Sequence, residues 1–177
     1  MSHYYPVFLD LRGRRCVVLG GGALALEKVQ GLLRAEALVR VVAADLVAEL
    51  SVMAEREAVE WVPRDYLPGD LAGAVLAIDA SGVETINAAS EAEARAERVS
   101  LNVVDRPARC DWIAPAIVRR GPLQIAVSTS GESPFLASSI RSRLERLFGD
   151  EWGSFTTLVG KRSEVSRALA IFAPFTS

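Results

Sequence analysis

Three consecutive glycines, Gly20-Gly21-Gly22, stand between an apolar, β-branched run at 16–19 and a stretch at 23–34 with helical spacing, Leu26, Val29 and Leu33 falling at i, i+3 and i+7. A strand that feeds a helix through such a junction has few ways to fold. Gly20 permits the tight turn, and Gly22 lets a ligand come close to the backbone. Ala25 completes a G-x-G-x-x-A pattern and lets the helix pack against the sheet. The helix opens through Gly22, Ala23 and Leu24, whose unsatisfied N–H groups and dipole favour an anion. The pattern is that of a pyrophosphate-binding turn; the alternative is a glycine turn with no ligand.

The context decides how much weight the pattern carries. Apolar runs at 39–43, 59–62, 75–80 and 100–104 alternate with helical stretches, including the polar, alanine-rich 84–97. Such alternation makes a parallel sheet with right-handed crossovers. The expected fold class is therefore α/β, a Rossmann-like doubly wound parallel sheet. After Asp111 the pattern changes. Runs at 113–118 and 123–128 flank Arg119-Arg120-Gly121-Pro122 as a hairpin with a turn-like insert. An amphipathic helix at 135–148 follows, carrying Leu136, Ile140, Leu144 and Leu147 on one side. A further helical stretch has Trp152, Phe155 and Val159 on one stripe, and the tail 171–177 has no clear period. The expected organisation is a cofactor domain over 1–112 and a small α+β region over 113–177.

At 177 residues with net charge −2, the chain is large enough to close a core without staples and is not basic like a general nucleic-acid binder. No apolar run reaches the length of a membrane span, because Asp79 interrupts the best candidate, and residues 1–10 lack the pattern of a signal peptide. The expected setting is the cytoplasm. Cys16 and Cys110 are far apart, and Cys16 lies in an apolar run where a buried thiol is ordinary. His3 is the sole histidine, and no cluster has metal-ligand spacing, so no resident metal is expected. Lys28 and Lys161 are the only lysines, which leaves 18 of the 20 basic residues as arginine. Arginine suits carboxylates and phosphates, although codon bias in a GC-rich genome accounts for the excess equally simply.

Individual residues then stand out. Asp45, after the second strand, is a candidate for the adenine ribose or for the N-cap of a helix at 46–55. Asp105 follows Val104 at the end of the fifth strand, on the edge where doubly wound sheets bind ligands. It is a candidate acid–base residue, or else it caps the turn at Pro107. Ser128-Thr129-Ser130-Gly131-Glu132-Ser133-Pro134 is a small polar loop that can bind an anion or cap the next helix through Ser133.

Several of these segments recur in one order: Tyr5-Pro6-Val7-Phe8-Leu9-Asp10-Leu11, Val18-Leu19-Gly20-Gly21-Gly22, Ala25, Lys28, Arg64-Asp65-Tyr66, Asn102-Val103-Val104-Asp105, Gly121-Pro122-Leu123 and the loop 128–134. Over roughly 4–150 the chain resembles the precorrin-2 dehydrogenase/sirohydrochlorin ferrochelatase family, also the N-terminal module of multifunctional sirohaem synthases. The resemblance implies NAD-dependent oxidation of precorrin-2 to sirohydrochlorin, by a homodimer, with ferrous iron a second substrate in some members. It matches Asp105 to the family's catalytic aspartate. It places Gly20, Gly21, Gly22, Ala23, Leu24, Ala25, Asp45, Ser81 and Val104 at the cofactor. Ser128, Thr129, Ser130, Arg119, Arg120, Arg141 and Arg143 would lie at the polycarboxylate substrate; the arginines' alternative is a solvated face and turn. The rival is an NAD-sensing regulatory domain without chemistry. The chain departs from the family where a Thr-Asp pair is usual and Ala80-Ser81-Gly82-Val83 stands instead. It departs again at Glu36 and Ser130, where glycine is common.

Overall fold

The computed structural model describes residues 4–161; His3 and the tail 171–177 lie outside them. The chain divides into two compact units, Tyr4–Ile113 and one that begins at Ala114.

In the first unit, β1 (Arg15–Leu19), β2 (Leu38–Val42), β3 (Glu60–Val62), β4 (Leu76–Asp79) and β5 (Ser100–Val103) form one parallel sheet of order β3-β2-β1-β4-β5. The three helices are α1 (Ala23–Leu33), α2 (Ala48–Glu55) and α3 (Glu84–Glu97). The order reverses beside β1, whose residues Cys16, Val17, Val18 and Leu19 are buried because helices or connections cover both faces. One cluster packs Val18, Val41 and Ile78 against Ala25, Val29 and Leu50; the other packs Val17, Leu19, Ala77 and Leu101 against Ala94 and Tyr66. This is the doubly wound sheet that the alternation predicts. Cys16 is fully buried, which pushes its thiol up to about 11.

Two clasps hold the connection between β3 and β4. Arg64 makes a bidentate pair with Asp70 at 2.7 Å through both nitrogens, and Tyr66 donates to Glu93 on α3. The guanidinium holds the Asp70 carboxyl below its usual range, and burial beside Glu93 pushes the Tyr66 phenol up. The Arg64-Asp65-Tyr66 motif is thus a structural clasp.

The second unit holds an antiparallel hairpin, β6 (Ala116–Arg120) and β7 (Leu123–Val127), with α4 (Pro134–Leu147) and α5 (Glu151–Gly160). The hairpin is tighter than expected. Arg119 and Arg120 belong to β6, paired with Gln124 and Leu123, and only Gly121-Pro122 makes the turn. Gly121 has φ +54 and proline fixes the next φ near −65°, the combination of a type II′ turn. The glycine is also needed for space, since a Cβ there would lie 3.3 Å from Gly153 Cα at the start of α5. Phe148, just past α4, stacks edge to face on Trp152, and Trp152 on Phe155, both on α5.

Candidate functional site

The C-terminal ends of β1, β4 and β5 meet around a cleft of about 280 Å³, lined by Leu24, Ala80, Ser81, Gly82, Asn87, Val104, Asp105 and Arg106. Residues picked from separate parts of the sequence (Leu24, Ser81, Val104 and Asp105) share one surface there.

The backbone requires two of the three glycines, Gly20 and Gly21, and leaves the third open. Gly20 has φ +105, and a Cβ on it would lie 2.7 Å from the carbonyl oxygen of Ala80. At Gly21 a Cβ would fall 1.9 Å from the carbonyl of Asp45, a close approach the sequence does not signal. Gly22 has open space on that side, so a side chain there meets only what binds. No side chain caps α1, and its first turn holds no acid. Its leading N–H groups and positive dipole end are left for an anion. Ala25 is fully buried against the sheet, as its place in the motif requires.

Asp45 corrects one expectation. The helix begins at Ala48 with Val47 at its N-cap, so Asp45 caps nothing. Its backbone carbonyl packs against Gly21 instead, its side chain is exposed, and Val47 N donates to the Gly21 carbonyl at 2.8 Å.

Asp105 sits in a turn closed by Arg106 N donating to the Val103 carbonyl at 3.1 Å, with φ +60. A non-glycine residue in that region is uncommon, and aspartate is among the few that tolerate it. The capping alternative fails: the short 3-10 turn Pro107–Arg109 has Arg106 at its N-cap and no side-chain cap. Among the described residues the Asp105 carboxylate has no hydrogen-bond partner, and it is exposed at the cleft. The turn is clasped from below by Cys110, whose Sγ accepts from Val103 N at 3.2 Å and lies 3.3 Å from the Arg106 carbonyl. Burial pushes that thiol up from its ordinary value.

Sequence reasoning missed Asp79. Read along the chain it only interrupts an apolar run. In the fold it is 1% exposed at the end of β4. Its carboxylate accepts from Ser81 N at 3.0 Å, Ser81 Oγ at 2.6 Å and Ser90 Oγ at 2.7 Å. The Asn87 amide nitrogen, turned toward its acceptors, adds a bond at 3.0 Å. An acid inside an otherwise apolar strand was the available signal.

In the second unit, Ser133 caps α4 by accepting from Leu136 N at 3.2 Å, with Pro134 at the first helical position, as expected. Thr129 Oγ1 accepts from Ser133 N and donates to its carbonyl, both at 3.0 Å, and Ser128 Oγ accepts from Ser130 N. Arg120 is a further correction. Its guanidinium donates to the carbonyls of Phe148 at 2.7 Å and Glu145 at 2.9 Å, fastening the end of α4 to the hairpin. Those donors are committed to the protein, so Arg120 is withdrawn from the substrate set. Arg141 pairs with Glu145 one turn on at 2.5 Å, while Arg119 and Arg143 are exposed. Among the described residues no cluster could hold a metal ion, and no helix is long and apolar enough to cross a membrane.

Known proteins share this architecture. A family described as putative NAD(P)-binding matches residues 7–116, and one described as sirohaem biosynthesis protein central matches 120–147. The sirohaem synthase of Chromobacterium violaceum is 43% identical over 150 residues, covering 85% of this chain and 32% of that protein. That of Azotobacter vinelandii is 41% identical over 167 residues, covering 94% and 36%. The chain therefore spans about a third of the length of these relatives. A solved structure of SirC, precorrin-2 dehydrogenase, superposes with a TM-score of 0.76 at 23% identity, covering 98% of this chain and 90% of that one; it shares the fold.

Proposed function

The chain belongs to the putative NAD(P)-binding family, and from that premise we propose that it is an NAD-dependent dehydrogenase oxidising precorrin-2 to sirohydrochlorin in sirohaem biosynthesis. The observation that carries the reading is a free carboxylate, Asp105, on the same cleft as the loop that abuts Gly20. NAD, when bound, accepts the hydride removed from the macrocycle. The chain's own residues do the rest. The open face of Gly22 and the uncapped start of α1 fit the pyrophosphate. Asp45, exposed and with its backbone against Gly21, is the candidate for the adenine ribose. Asp105 takes the proton that leaves with the hydride, and its freedom from internal partners leaves its oxygens available for that.

In the second unit, Arg119, Arg141 and Arg143, with Ser128, Thr129 and Ser130, supply polar groups for a polycarboxylate macrocycle. The apolar stripe of α4 leaves Leu136 49% and Leu147 71% exposed, which favours a homodimer covering it. Both cysteines are free thiols, in keeping with a cytoplasmic setting. Ferrous iron, where it enters, is a substrate taken up by the macrocycle.

The test is an absorbance assay with precorrin-2 and NAD, with and without ferrous ion. The parent should form sirohydrochlorin and NADH. Asp105→Asn keeps the shape but loses the base, so turnover should fall by roughly 10²–10⁴-fold. Turnover within a few-fold of the parent would remove Asp105 from the mechanism. NAD binding with no turnover in the parent would instead identify a sensing domain.

A further inference from the structure

We propose that Asp79 is a positioning residue for the cofactor site: buried and out of reach of any ligand, it fixes the loop that forms one wall of the cleft. The inference rests on the NAD reading above.

The carboxylate lies at the junction of three structures. Toward the cleft, Oδ1 accepts from both the backbone and the hydroxyl of Ser81. Toward the helix, Oδ2 accepts from Ser90 and Asn87 on α3. Its own backbone carbonyl accepts from Val104 N at 2.9 Å, beside Asp105. The Ser81 hydroxyl, donating to Asp79, accepts in turn from Val83 N at 3.2 Å. That hydroxyl is committed inward, so Ser81 helps to shape the cleft wall rather than donate to a ligand.

The same loop bears on the glycine turn. Ala80 N donates to the Leu19 carbonyl at 2.8 Å, and the Ala80 carbonyl and Ser81 Cα occupy the space a Cβ on Gly20 would need. A displaced loop would therefore disturb the pyrophosphate turn and the cleft wall together. An acid buried at 1% exposure and surrounded by neutral donors is costly unless fully bonded. The chain keeps it where the loop beyond β4 carries Ser81-Gly82, with no acid of its own. Asp79 supplies from within the strand the anchor that this loop lacks.

The experiment compares Asp79→Asn with Ser90→Ala by calorimetric NAD titration and thermal melting. In Asp79→Asn one acceptor oxygen becomes an NH₂, which meets the fixed Ser81 N–H if it turns toward the cleft and is accepted only by a rotated Ser90 or Asn87 if it turns toward α3; in both orientations the charge that holds the Ser81 N–H and hydroxyl inward is lost. Ser90→Ala removes a bond to the same carboxylate on the side away from the cleft. Both should melt earlier. Asp79→Asn should weaken NAD about ten-fold or more and raise the KM for NAD, with kcat at saturating NAD largely kept. Ser90→Ala should stay within about two-fold of the parent. Folded Asp79→Asn with parental affinity overturns the proposal, as does equal weakening by Ser90→Ala. Should Asp79→Asn not fold, Ser81→Ala and Ser81→Thr carry the test. Weakening by Ala and recovery by Thr support the proposal, and parental affinity in Ser81→Ala overturns it. A parent that binds no NAD would sink the cofactor reading itself, a distinguishable result.

Discussion

In the unit Tyr4–Ile113 Leu24, Ser81, Val104 and Asp105, singled out from separate stretches of the sequence, line one cleft, whereas in the unit from Ala114 onward one of the conspicuous arginines, Arg120, turns back on the protein. Gly20 makes its tight turn, Ala25 is buried against the sheet, and Ser81 and Asp105 lie on the cleft. Arg120 is spent on the carbonyls at the end of α4, while Arg141 pairs with Glu145 through one nitrogen only. The difference follows from the chemistry of the residues. A glycine's role is set by its own φ and by the backbone next to it, and strand–turn–helix grammar fixes both. A guanidinium on a long stem bonds whatever acceptors the fold brings within reach, and local sequence does not say which those are.

The largest effect expected from this contrast lies inside the glycine turn. Gly21→Ala puts a methyl into the Asp45 carbonyl and should cost about 3 kcal/mol of stability through overpacking. Gly22→Val meets open space, so it should fold normally yet lose NAD binding by calorimetry. Equal melting temperatures for Gly21→Ala and the parent would show that the loop at Asp45 yields. NAD bound by Gly22→Val as tightly as by the parent would move the pyrophosphate elsewhere.

Arginines give the next contrast. Arg120→Ala leaves carbonyls at the end of α4 unpaired and should destabilise by about 1–3 kcal/mol in thermal or urea melts. Arg143→Gln, exposed, should leave stability unchanged and raise the KM for precorrin-2, more at low salt. A stable Arg120→Ala with a raised KM would return that residue to the substrate set.

Much of the first unit was legible because hydrophobic period and glycine placement are local signals. The strands lie at or close to the expected positions, and Ser133-Pro134 starts α4 as its sequence reads. What stayed hidden depends on distant partners. Asp79 looked like an interruption because Ser90 and Asn87 lie eleven and eight residues away on α3. The Asp45 cap failed because Val47 is tied to Gly21, which delays the helix to Ala48. The hairpin turned more tightly than expected because Gly121-Pro122 alone suffices to turn it, which lets both arginines pair in the strand.

The smallest expected effect treats the two units alike and so tests whether the contrast stops at the backbone. Glu36 and Ser130 stand where the resembling family commonly has glycine, and both have left-handed backbones, φ +57 and φ +54. For a residue with a Cβ that conformation costs about 1–2 kcal/mol, partly offset because glycine loses more freedom on folding, roughly 0.5–1 kcal/mol. Neither side chain forms a hydrogen bond or ion pair among the described residues, so removing it costs little, at Glu36 only a weak attraction to Arg12. Glu36→Gly and Ser130→Gly should each stabilise the chain by about 0.5–1 kcal/mol, read as a small rise in melting temperature. Glu36→Gly should leave NAD affinity and turnover at the parental level, since it lies at the end of α1 away from the glycine turn. Ser130→Gly removes only a side chain from the proposed substrate loop, so an altered KM for precorrin-2 together with the stability gain would give that hydroxyl a direct part in binding. A loss of stability in either variant would mean that the side chain, and not the backbone, sets the energy at that position.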